Sequence, residues 1–182
     1  MTDELVILKR VVSKLDEAGI PYMLTGSMAA AYYAEPRMTR DADLVVQLEA
    51  EDAPRLAALF GEEFGADADL LAAAISRRRM FNLIHIVAVV KVDFIVLKAD
   101  PFRQEEFRRR RRVDFGGTEL WIVAPEDLIL SKLHWAKDTR SEMQLRDSKR
   151  LLAAQPGLDV QYLSKWAAYL GVTELLDEVR RA

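Results

Sequence analysis

The stretch from Met23 to Val46, M-L-T-G-S-M-A-A-A-Y-Y-A-E-P-R-M-T-R-D-A-D-L-V-V, constrains the fold more than any other part of the chain. Its pattern predicts a strand over Tyr22 to Thr25, a sharp turn at Gly26-Ser27, and a short helix from Met28 to Ala34. A stop follows at Glu35-Pro36, because the residue before a proline is pushed out of the α region. A second strand then opens with Asp41 and Asp43. Gly26 permits the turn and lets another group come close to the backbone. Ser27 heads a helix whose N–H groups and dipole favour an anion. Asp41 and Asp43 are two apart, so on an extended strand they project to one side. Carboxylates forced together raise one another's pKa unless a cation sits between them. A hard divalent ion with oxygen ligands suits that position, and Mg²⁺ is commonly held by one or two carboxylates plus substrate phosphates. A phosphate cradle feeding a paired-carboxylate site is a layout for phosphoryl or nucleotidyl transfer.

A second element answers the first. In V-V-K-V-D-F-I-V-L, residues 89–97, Val90, Val92, Phe94 and Val96 alternate with Lys91, Asp93 and Ile95. Asp93 thus falls in an apolar strand, on the face that also carries Lys91. A carboxylate in a covered strand is costly unless paired or bound to a metal.

Gly26-Ser27, thirteen intervening residues, Asp41-Ala42-Asp43 before Leu-Val-Val, and the later Val92-Asp93-Phe94 together resemble the DNA polymerase β-like nucleotidyltransferase superfamily. The resemblance implies an α/β nucleotidyltransferase fold with a small mixed sheet flanked by helices and a C-terminal helical segment. It implies Asp41, Asp43 and Asp93 as catalytic metal ligands for two Mg²⁺ ions (Mn²⁺ being an alternative), roughly 3.5–4 Å apart in such sites. Gly26 and Ser27 would hold nucleotide phosphates. Of Arg37 and Arg40, flanking Thr39, one would steady the triphosphate or the strand entry, or else both are solvated loop charges.

The tail carries a further signal, S-K-L-H-W-A-K-D-T-R-S-E-M-Q-L-R-D-S-K-R-L-L, residues 131–152. Lys132 lies among Leu128, Ile129 and Ala136 in the apolar stripe of a helix, where lysine needs a partner. Asp147 is bracketed by Met143 and Leu151 on the next helix. The stretch is similar to the lysine and aspartate motifs of the AbiEii-type toxin branch, which implies that Lys132 contacts nucleotide phosphate and Asp147 completes the site. The plainer alternative is a structural Lys132–Asp147 ion pair. The branch also implies an NTP substrate, an RNA or tRNA acceptor and an antitoxin partner. A small antibiotic nucleotidyltransferase and a non-catalytic binding module that keeps the fold are the rival readings.

Composition sets bounds on these readings. The 182 residues suit a core over residues 1–124 and a helical segment over residues 125–182, the composition shifting near Pro125. With no cysteine and only two histidines, disulfides and thiolate zinc sites are excluded. No apolar run approaches a membrane span, and a cytoplasmic protein is expected. Net charge is −3, so any basic surface must be local. Arg77–Arg79 and Arg108–Arg112 are the candidates, as a runway for RNA or as solvated charges. His85 reads as a scaffold residue, and Trp121, Trp135 and Trp166 as core. Helices are expected over 2–18, 51–60, 67–75 and four times after Pro125, with strands at 80–86 and 89–97 and a Gly116-Gly117 hairpin.

Overall fold

The computed structural model describes residues 3–35 and 41–181; Arg37 and Arg40 lie outside them. It is an α/β fold built on one mixed sheet of six strands among the described residues. Helix α1 (Asp3–Glu17) buries Ile7, Leu8, Val11, Val12 and Leu15, the helical repeat visible in the sequence, and turns at Gly19 with φ +64°. Strand β1 (Tyr22–Thr25) is fully buried and runs straight into α2 (Gly26–Tyr33). Strand β2 (Ala42–Val46) lies antiparallel to β1, in a register that sets Thr25 against Asp43.

A 3₁₀ turn at Ala50–Asp52 precedes α3 (Ala53–Phe64), so this helix starts later and runs longer than the sequence pattern indicates. Gly65, left-handed at φ +63°, ends it. The alanine-rich segment forms α4 (Ala68–Ser76), capped by the Asp67 carboxylate accepting from the Asp69 and Leu70 N–H groups. The chain returns through β3 (Phe81–Ile84) and β4 (Lys91–Val96), both shorter than the apolar runs that announced them. Their connection uses His85: its buried ring accepts the Ala88 N–H at Nδ1 over 3.0 Å, a scaffold role.

Strand β4 is parallel to β2, and the register pairs Asp43 with Asp93. After α5 (Pro101–Arg108), β5 (Arg111–Asp114) and β6 (Glu119–Ile122) form the hairpin. Gly116 and Gly117 both have positive φ, the conformation a tight two-residue turn demands. The strand order is β3-β4-β2-β1-β6-β5. Helices α6 (Pro125–Thr139), α7 (Glu142–Ala154), α8 (Val160–Leu170) and α9 (Thr173–Arg181) complete the chain.

The helices are tied to the sheet through α2, which packs on α6 and α7. The Tyr33 hydroxyl donates to the Val123 carbonyl at 2.8 Å, and Gln155 donates to the Tyr33 carbonyl at 2.6 Å. The helix that opens with Gly26-Ser27 is therefore clamped between sheet and tail. The expected core position of the tryptophans is corrected at one site: Trp135, in the second half of α6, is 69% exposed. No helix among the described residues is long and apolar enough to cross a membrane.

Candidate active site

Strands β2 and β4, next to the β1–α2 turn, bring three carboxylates to one corner of the sheet. Asp43, second in β2, lies beside Asp93, third in β4, because parallel pairing in that register sets both on the same rung. Asp41 immediately precedes β2 and is exposed. Asp93 is only 6% exposed, as its apolar flanks foretold, and its Oδ1 is buried without a hydrogen-bond partner.

Gly26 explains how so much charge fits. A Cβ built on Gly26 would lie 2.0 Å from the Asp43 Oδ2, an impossible overlap, and φ is +66° there. The close approach that the glycine permits is thus made first by Asp43's carboxylate, drawn up against the start of α2. Burial, then the negative charges of Asp93 and Asp41, push the Asp43 carboxyl up to about 6, against the opposing pull of Lys132 and Lys91.

Two lysines answer these acids, one anticipated and one missed. Lys91 Nζ sits 2.8 Å from Asp93 Oδ2 and 3.9 Å from Asp41 Oδ1, a cation between the two carboxylates. Its place two residues before Asp93 on the same strand face was the available signal. Lys132 is 4% exposed within α6 and donates to Asp147 at 2.8 Å and to Gln144 at 3.2 Å. The plainer of the two expectations for this pair, an ion pair bridging α6 and α7, is thus present in the fold. Gln144 carries no charge to draw the eye, yet it stands three residues before Asp147, on the same face of α7.

Among the described residues no three His, Asp or Glu side chains are grouped so as to hold a metal ion. The chemistry of the donors nevertheless fits a hard cation. They are all oxygen, they carry surplus negative charge, and one buried oxygen has no partner. The ammonium of Lys91 stands where such an ion would neutralise Asp93 and Asp41.

The arginine run differs from an open basic patch. Arg108 is bound by Glu105 at 2.7 Å, and Arg109 reaches Asp127 at 2.9 Å and Glu126 at 3.0 Å. Arg111 lies 3.7 Å from Glu126, and Arg112 lies 3.1 Å from Glu119. In the other cluster, Arg78 is held by Glu49 and by the carbonyls of Leu48 and Leu97. Most of this positive charge is neutralised by nearby acids.

No family model matches the chain, and no curated protein sequence matches it. Solved structures do. An antigenic nucleotidyltransferase-like protein from Paracoccidioides brasiliensis aligns over 98% of this chain and 93% of its own, with a TM-score of 0.57 and 17% identity. The antibiotic-resistance factor ANT(2'')-Ia aligns over 97% and 96%, with a TM-score of 0.59 and 15% identity. A lincosamide antibiotic adenylyltransferase, LnuA, aligns over 85% and 99%, with a TM-score of 0.56 and 11% identity. The chain therefore has the nucleotidyltransferase fold. At these identities the likeness is one of architecture, and activity must be argued from this chain's own residues.

Proposed function

We propose that this chain is a metal-dependent nucleotidyltransferase, moving a nucleoside monophosphate from an NTP to an acceptor hydroxyl with release of pyrophosphate. The observation that carries the reading is Asp93: buried, on the same rung as Asp43, with one oxygen left without a partner. A fold gains nothing by burying such a group for stability alone.

In this reading residues 1–124 carry the acids and residues 125–182 supply Lys132 and Asp147. Asp41, Asp43 and Asp93 would hold the divalent cations, Mg²⁺ or Mn²⁺, at the place the Lys91 ammonium takes in the metal-free corner. When bound, the metal supplies Lewis-acid charge on the phosphate oxygens. Asp93 accepts the proton of the attacking hydroxyl. Gly26 and Ser27, at the start of α2, receive phosphate oxygens where the helix dipole favours negative charge. Lys132 lends positive charge to the leaving pyrophosphate, and Asp147 with Gln144 fixes its ammonium. The positive charge of Lys132 already acts on Asp43, which supports a place for it beside the acids.

The acceptor class is an RNA end, in keeping with the AbiEii-type resemblance. The deciding experiment incubates the protein with each α-labelled NTP, Mg²⁺ and total RNA, with tobramycin and lincomycin as parallel acceptors. Label should enter RNA with the native chain and not with Asp43→Asn. Label on an antibiotic alone would move the assignment to antibiotic modification. Absence of label on every acceptor, together with no metal-dependent NTP binding, would leave a binding module that has only the fold. If the chain acts as a toxin restrained by an antitoxin, expression should arrest growth while expression of Asp43→Asn should not.

A further inference from the structure

A cleft of about 500 Å³ opens at the far end of the same two strands that carry the acids. Gln47 and Leu97, the residues directly after β2 and β4, line it, with Gln104, Arg108 and Arg110 from α5 and the turn after it, and Trp166 from α8. Four residues of extended chain separate Asp43 from Gln47, on the order of 13 Å. The cleft is therefore a separate site, of a size that takes a small organic ligand.

Arg110 sets its chemistry. Among the described residues it is the one member of the run Arg108–Arg112 with no carboxylate partner. Its Nη1 donates to the Phe107 carbonyl at 2.7 Å, and its guanidinium lies over the rings of Phe107 at 4.2 Å and Trp121 at 4.9 Å. Its Nε is buried and has no hydrogen-bond partner. Burial, with no acid to offset it, lowers the pKa of this group. The aromatic rings fix the plane of the guanidinium but satisfy neither its charge nor its Nε–H. A guanidinium held in plane by the rings and left without an acid can offer the N–H groups it has free on the cleft side to an oxyanion.

We propose that this cleft binds a small organic phosphate, its oxyanion on Arg110 and its apolar or aromatic body against Leu97 and Trp166. Arg108, on the cleft wall but held by Glu105, contributes less. The glutamines, Gln47 and Gln104, supply amide groups for polar atoms of the ligand.

Phenyl phosphate is the probe, with inorganic phosphate and benzyl alcohol as partial ligands, read by calorimetry and by the fluorescence of Trp121 and Trp166. Phenyl phosphate should bind saturably, inorganic phosphate more weakly, and benzyl alcohol least. Arg110→Met should weaken phenyl phosphate at least about tenfold. Gln104→Trp, on the exposed face of α5, should block the cleft without touching the aromatic stack, which covers the case in which Arg110→Met fails to fold. Asp43→Asn should leave the affinity unchanged, so the site stands or falls apart from the nucleotidyltransferase reading. No saturable binding by the native chain, or binding unmoved in Gln104→Trp, would overturn the proposal. Binding changed in Asp43→Asn, whether strengthened by the charge removed or lost, would overturn it equally, by showing that the probe enters the acid corner.

Discussion

Two clusters of buried acid in this protein are treated in opposite ways. At the junction of α5, α6 and α8, Asp127 is fully buried, yet Arg109 Nε donates to one oxygen at 2.9 Å and the Tyr162 hydroxyl to the other. Glu126 beside it receives Arg109 and the backbone N–H of Asp159. Glu106, also buried, accepts from Arg103 at 2.8 Å and from Ser131 at 2.6 Å. Every one of these acids is paired. At the sheet corner, Asp43 faces Asp93, Asp93 has one orphaned oxygen, and the nearest cations come from Lys91 and a lysine already engaged with Asp147.

Burial is the largest cause that pushes both Asp43 and Asp127 up to about 6, but the next-largest causes have opposite sign. Around Asp127, hydrogen bonds from Tyr162 and Arg109 pull back down. Around Asp43, two further carboxylates push the same way as burial. One network is closed and holds elements together. The other leaves one Asp93 oxygen without a partner beside the Asp43 carboxylate, a strain that a bound cation would relieve.

The contrast is broken or sharpened first by activity. Asp43→Asn and Asp93→Asn should each lower nucleotidyl transfer by about a thousandfold or more while the protein stays folded. Asp127→Asn should act through stability instead. A labelling assay run beside a circular-dichroism melt separates the two. Equal, modest activity losses at both clusters would mean that the sheet corner is as structural as the helix junction.

Stability gives the next largest effect. Arg109→Ala leaves Asp127 buried with Tyr162 as its remaining donor, and should cost about 3 kcal/mol, a fall in Tm of about 6–12 °C. Guanidinium chloride unfolding at pH 7 measures it. A loss no larger than that of the exposed Arg140–Glu178 pair, about 0–1 kcal/mol, would show that the junction is not closed as described.

Asp43 should respond with the reverse sign. Its carboxyl titrates near 6 when folded and near the ordinary aspartate value, about 3.9, when unfolded. Between those values the folded state holds the extra proton, so stability falls as pH rises through this window and the penalty is complete above it. Asp43→Asn should therefore stabilise the metal-free protein by on the order of 1–3 kcal/mol at pH 7–8, with the gain vanishing below about pH 4. Chemical unfolding at several pH values tests this. A variant destabilised at pH 8 would mean that Asp43 is paired after all.

The two clusters also differ in how far they could be read in advance. The sheet corner was legible because its elements are local: Gly26 at a strand-to-helix turn, Asp41 and Asp43 at strand spacing, and Asp93 in an apolar alternation each announce themselves within a few residues. The register that sets Asp43 beside Asp93 needs the sheet, and so does the ammonium of Lys91 between Asp93 and Asp41. The helix junction was not legible. Asp127 is one acid in an amphipathic helix start, and only the packing of α5 and α8 reveals that Arg109 and Tyr162 meet on it. The run Arg108–Arg112 looked like free basic charge for the same reason, since apart from Glu105, three residues from Arg108, its partners Glu126, Asp127 and Glu119 are seven or more residues away. Element ends blurred wherever a turn, not periodicity, decides them: the 3₁₀ turn before α3 and the left-handed Val89 before β4 are examples.

The smallest effect is the most direct test of the surplus. Lys91 Nζ donates to Asp93 at 2.8 Å and lies 3.9 Å from Asp41, so it serves the metal-free corner as a tethered cation. Lys91→Met removes that charge but keeps the length and apolar stem of the side chain. With Asp93 buried and its second oxygen then also unpartnered, the metal-free protein should lose about 1 kcal/mol. A cation that occupies the same place should restore the loss. Mn²⁺ should raise the melting temperature of Lys91→Met by more than it raises that of the native chain, because binding to the folded state alone adds stability by mass action and the variant no longer has a competing ammonium. Lys91 is partly exposed and can swing into solvent, so the native chain should still bind Mn²⁺, only more weakly by about threefold to tenfold. Calorimetric titration of Mn²⁺ into both proteins, without nucleotide, reads the difference. Equal affinities, or a variant that Mn²⁺ fails to rescue, would mean that Lys91 pairs with Asp93 for stability alone and that the cation position lies elsewhere.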